Sequence, residues 1–71
     1  MQFELRGEYI ALCDLLKIVG IADSGGQGKV IVADGLVIVD GAVEYRKTAK
    51  IRAGQMVECM GQVIKTVAPT N

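Results

Sequence analysis

The sequence has no histidine and no tryptophan, and its 71 residues include one phenylalanine, two tyrosines, one proline and two cysteines. Each shortage excludes something. Without histidine the chain lacks the commonest acid/base group at neutral pH and the commonest metal ligand. Cys13 and Cys59 stand 46 residues apart with no CxxC spacing, which argues against a zinc site with its four clustered ligands. Both cysteines are expected as small buried hydrophobes, kept reduced in a cytosolic setting. No apolar run approaches the roughly 20 residues that span a bilayer. Met1-Gln2-Phe3-Glu4 lacks the basic start and apolar stretch of a signal peptide, so the expected location is the cytoplasm.

The length bounds the chain to one domain, expected over 1–71, with a thin core: such a chain buries only roughly 60% of its unfolded surface. Apolar residues make up 51% and charged residues 23%, which is globular rather than disordered composition. The formal net charge is zero but unevenly laid out. Residues 1–45 carry three basic groups (Arg6, Lys17, Lys29) against seven acidic ones, a net of −4. Residues 46–71 carry Arg46, Lys47, Lys50, Arg52 and Lys65 against Glu58, a net of +4. The four within 46–52 make the strongest functional feature, since a concentrated basic segment attracts anions locally even in a neutral chain.

Gln2-Phe3-Glu4-Leu5-Arg6 alternates polar and apolar and predicts a short strand ended by Gly7. Leu12, Leu15, Leu16 and Val19 recur at i, i+3, i+4 and i+7, the stripe of an amphipathic helix, with Gly20 just past its end. Ser24-Gly25-Gly26-Gln27 reads as a capping box opening a second helix over 25–34. Lys29-Val30-Ile31-Val32-Ala33 is β-branched and reads as strand by propensity, with Asp34-Gly35 as a turn. Local rules leave these two readings open, the cap tilting slightly to helix. Residues 36–39 predict a strand and Asp40-Gly41 a turn. Residues 56–60 and 62–67 predict two more strands joined at Gly61, and 68–71 a loose tail. Strand, two helices, then several short strands describe an α+β domain with the helices on one side of a small, mostly antiparallel sheet.

Gly25-Gly26-Gln27-Gly28-Lys29 is not a phosphate loop: that motif needs Gly at 23 and Ser or Thr at 30, where the chain has Asp23 and Val30. Gly-Gly-Gln without further context is a weak echo of peptidyl-hydrolysis motifs. A glycine-opened helix N-terminus can still hold a phosphate. The aspartates sit near element ends, where they cap or turn, and Ser24 has no histidine to activate it. No catalytic residue, metal ligand or cofactor is expected, and the chain is not expected to be an enzyme.

From Leu12 onward the chain resembles the S-four-type RNA-binding domain, also called the αL motif, in the small bacterial form where that domain stands alone. The resemblance rests on Leu12, Leu16, Gly20, Ser24, Ile31-Val32, Gly35, Val39, Gly41, Ile51, Gly54 and Val57, a register without gaps that covers 12–57. Its core is a helix-loop-helix followed by the hairpin Gly35-Leu36-Val37-Ile38-Val39-Asp40-Gly41. The resemblance implies helix over 25–34 and an RNA-binding surface made by the helix pair and the hairpin. By position it implies that Ser24 caps the second helix at the RNA-facing end, that Lys29 is basic on that helix, and that Lys17 lies near the same surface. Arg46, Lys47, Lys50 and Arg52 follow the hairpin. The chain departs from the family pattern at Gly25, where many members have Arg, at Gly28, where Ala is usual, and at Asp40, where Asn is frequent. The missing Arg removes a bidentate phosphate donor and shifts the burden to Lys29 and 46–52.

The expected function is non-enzymatic binding of structured ribosomal or transfer RNA by phosphate contacts, by a monomer. Tyr45 is the only ring the sequence places beside the basic cluster, so base stacking on single strands is not expected. The alternative is a protein-interaction module that keeps the fold with little RNA affinity.

Overall fold

The structure is a computed structural model and describes residues 1–69. The tail expected over 68–71 falls partly outside the described residues; Ala68 and Pro69 are exposed and irregular. In chain order the elements are β1 (Gln2–Glu4), β2 (Ile10–Ala11), α1 (Leu12–Ile18), α2 (Gly25–Ala33), β3 (Val37–Val39), β4 (Ala42–Val43), β5 (Lys50–Ile51), β6 (Met56–Cys59) and β7 (Gln62–Val67).

The apolar stripe folds as expected: Leu12, Leu15 and Leu16 of α1 are fully buried while Asp14 and Lys17 are exposed. Gly20, at φ +84°, closes α1. Its N–H donates to the Lys17 carbonyl at 3.1 Å, and the Ile21 N–H to Leu16 at 3.0 Å, the paired bonds of a glycine C-terminal cap. The 29–33 ambiguity resolves to helix. Ser24 Oγ accepts from the Gln27 N–H at 3.1 Å, the first half of the capping box. The Gln27 side chain reaches back to the N–H of Asp23, one residue before the position a standard capping box uses. Gly35, at φ +76°, ends α2 with the same paired bonds, to Val32 and Ile31. Propensity loses here because Gly28, Ile31 and Val32 bury one face against α1, and packing of such a face supplies most helical stability.

The main sheet has the order β1-β7-β6-β3-β4. All its pairings are antiparallel except β1 with β7. Both hairpins close in two residues, Asp40-Gly41 (φ 50° and 86°) and Met60-Gly61 (φ 49° and 81°), the doubly left-handed turn whose twist suits neighbouring strands. Val37, Val57, Cys59 and Ile64 from the sheet join Leu12, Leu15, Leu16 and Val32 in one buried cluster. Cys13 and Cys59 are both buried and unbridged, as expected, and burial pushes the Cys59 thiol pKa up. Among the described residues Thr66 is the one buried polar side chain. Its hydroxyl lies 2.6 Å from the Arg52 carbonyl and 2.8 Å from that of Gln55, so it ties the 52–55 turn to β7.

The sequence does not foretell the small second sheet. β2 pairs with β5, Ile10 opposite Ile51 and Ala11 opposite Lys50. It fixes the start of α1 beside the basic segment.

Candidate nucleic-acid interface

α1 begins after Ala11, which offers no side-chain cap. Its first N–H groups are satisfied from elsewhere in the chain. Leu12 N–H donates to the Ala49 carbonyl at 2.9 Å and Cys13 N–H to that of Lys47 at 3.1 Å. The basic segment is thereby docked on the end of α1, with Ala49 buried beneath it and the Lys47 and Lys50 side chains exposed.

This docking brings Lys29 of α2 together with Arg46, Lys47 and Lys50 around one open groove of about 750 Å³, which Tyr45 also lines. Tyr45 packs as well: a Cβ on Gly35 would lie 3.1 Å from its ring, so the ring covers the end of α2. Four of the seven basic or capping positions singled out in the sequence therefore share one site. Lys17 and Ser24 are exposed but do not line the groove. Ser24 acts as the helix cap. Arg52 also lies outside the lining.

Arg46 is not an unencumbered cation. Its Nη2 and Nε contact Glu44 Oε1 and Oε2 at 2.9 and 3.1 Å, and its own N–H donates to Oε2 at 3.0 Å. These bonds hold the Glu44 carboxyl at about 2, far below its ordinary value, and raise the Arg46 guanidinium in turn. The Nε/Nη2 edge of the guanidinium, one of its two bidentate forks, is already filled by a carboxylate. The sequence gives no warning of this, because a charged pair two residues apart in an irregular segment has no periodic signature.

Arg52 turns instead toward Tyr9. Its Cζ lies 5.7 Å from the ring centroid, and Lys50 Nζ lies 5.0 Å from the same ring. This corrects the expectation that Tyr45 alone stands beside the basic cluster: β2 pairing with β5 delivers Tyr9 there too, at cation–π distance. Asp40 proves structural. Its carboxylate accepts from the Met56 N–H at 2.9 Å and from Gln55 Nε2 at 3.1 Å, bonds that lower its pKa and tie the β3–β4 turn to the start of β6. Among the described residues no three metal-ligating side chains cluster, and no helix is long and apolar enough to cross a membrane.

A model of the S4 domain matches residues 3–67. The chain belongs to this family. S4 domain relatives include YbcJ of Escherichia coli (strain K12), whose name carries RNA binding as a provisional assignment. It is 52% identical over 60 residues, covering 84% of this chain and 86% of the relative. The uncharacterized YbcJ of Shigella flexneri matches to the same extent. The solution structure of E. coli YbcJ, reported as revealing an αL motif involved in RNA binding, superposes with a TM-score of 0.73 at 48% identity, over 94% of this chain and 86% of that one. The α+β fold with two helices on a mostly antiparallel sheet is thus the αL arrangement. The family match extends beyond 12–57 to include most of β1 and all of β7. In this S4 domain the position many members fill with Arg is Gly25, the first residue of α2. Gly28 lies where α1 and α2 approach most closely: a Cβ there would stand 2.7 Å from the Cys13 carbonyl oxygen.

Proposed function

We propose that this S4 domain, acting as one unit over 1–71, binds structured RNA in the cytoplasm as a monomer and catalyses no reaction. The single observation carrying this reading is the groove that gathers Lys29, Lys47 and Lys50 from both halves of the αL motif. Three exposed cations around one groove can each neutralise a phosphate of a folded ribosomal or transfer RNA; such contacts position the protein and leave the RNA's shape as the discriminant. Arg46 contributes less than its charge suggests, because Glu44 occupies it. Arg52 and Lys17, outside the groove lining, would add secondary contacts, and Ser24 holds α2 in place. The relatives' association with RNA binding supports the same reading.

The alternative is a protein-docking module. The pairing of Arg46 with Glu44 and the glycine at 25 favour it. Fluorescence-anisotropy titration against a structured ribosomal RNA fragment at 50 and 200 mM salt separates the two. With three phosphate contacts, raising salt over that range weakens binding at least about tenfold, because binding releases counterions. Lys29, Lys47 and Lys50 changed together to Glu should abolish binding. No binding by the unmodified protein at low salt, or binding indifferent to salt, refutes the RNA reading.

A further inference from the structure

A second cavity, about 790 Å³, is lined by residues 3–7 together with Tyr9, Ile10 and Ile18. Apart from Ile18 it is built outside the 12–57 motif. Two large apolar side chains on its wall are exposed: Ile18 is 60% exposed and Tyr9 46%. Tyr9 is also where this cavity meets the basic groove, since Lys50, which lines that groove, and Arg52 both stand over its ring. The lining itself holds one acid, Glu4, and one base, Arg6, so it has little net charge. The cationic side is the side toward the groove. A hollow of mixed polarity that offers the Tyr9 ring and Ile18, with cations at one margin, suits a nucleotide placed base inward and phosphate outward. Its volume falls within the roughly 300–1,000 Å³ of small-ligand sites and is too small for a duplex.

We propose that this cavity takes one unpaired nucleotide of the bound RNA, its base against Tyr9 and Ile18 and its phosphate between Lys50 and Arg52. This deepens the RNA reading and rests on it: the protein would bind where a helical segment ends in single strand. The test uses a blunt RNA duplex and the same duplex carrying a short single-stranded extension with 2-aminopurine in it. The expected results are binding of the extended duplex at least about fivefold tighter than the blunt one, as one stacked base requires, and quenching of 2-aminopurine on binding. Tyr9→Leu should remove the gain, making the two RNAs bind equally even where loss of the ring beneath Lys50 weakens both; Tyr9→Phe, which keeps the ring, should retain the gain. Circular dichroism confirms that both variants fold. Equal affinity for the two RNAs, or a gain that survives Tyr9→Leu, overturns the nucleotide site while the RNA reading stands. Failure of the unmodified protein to bind either RNA at low salt overturns both.

Discussion

Gly28→Ala measures how closely α1 and α2 pack. The added Cβ would lie 2.7 Å from the Cys13 carbonyl oxygen and 3.2 Å from its Cα, where ordinary contact begins at 3.4 Å. Both neighbours are backbone, so no side chain can swing aside; the helices must separate by about 0.7 Å. Overpacking of this kind costs about 1–3 kcal/mol, and with a rigid neighbour the upper part of that range applies. Alanine in place of a helical glycine returns about 1 kcal/mol. The net loss is about 1–2 kcal/mol, from a total of roughly 4–10 kcal/mol for a chain of this length. In thermal unfolding followed by circular dichroism this lowers Tm by about 5–15 °C. Gly26→Ala is the matched control. It is the same change in the same helix, but its Cβ meets only Ser24 Oγ at an ordinary 3.8 Å, so it should hold or raise Tm. A Gly28→Ala protein as stable as the parent would refute the close approach and with it the account of why α2 carries glycine there.

Two further predictions concern the site and its support. Glu44→Gln releases the Arg46 fork and should tighten RNA binding at 50 mM salt about two- to fivefold, the ~0.5–1 kcal/mol of one exposed charge contact. Because the folded carboxyl of Glu44 titrates at about 2 against an ordinary 4.5, its contribution to stability is present above pH 4.5 and is lost as pH falls through 2. The Tm gap between parent and Glu44→Gln should therefore close between those values, and a gap independent of pH would count against the pairing. Thr66→Val removes the hydroxyl held against the Arg52 and Gln55 carbonyls; each carbonyl keeps a backbone N–H partner, so the loss is that of one hydrogen bond, about 0.5–1.5 kcal/mol. Urea unfolding should show it as a lower midpoint with unchanged slope.

Much of the scaffold is legible in the sequence. The α1 stripe, the Ser24 cap, the glycines closing both helices and the two-residue turns are local features, and each has a backbone reason visible in the chain. Residues 29–33 were ambiguous because β-branched propensity and capping disagree, and burial of Ile31 and Val32 against α1 decided the matter. The pairing of β2 with β5 could not be read, since two-residue strands have no alternation to detect and their partners lie far apart in sequence. The site inherited that blindness. The basic cluster stood out by composition, but the approach of Tyr9 depends on that pairing, and the occupation of Arg46 by Glu44 depends on an irregular turn. Position along the chain groups Arg52 with its neighbours, yet it faces the Tyr9 ring.

The borrowed cap of α1 separates what may vary in this protein from what may not. Lys47 and Ala49 serve the helix through carbonyl groups, which every residue type possesses. The exposed side chains at 46–48 and 50 are therefore open to replacement without cost to the helix, Ala49 being held small by its burial in the core, and the groove can be retuned to other anions or relieved of charge altogether. Chain length there has no such freedom: inserting or deleting one residue moves both carbonyls off the helix end and strands two N–H groups. Diversification of this surface is confined to substitution, with the spacing between β4 and β5 held constant.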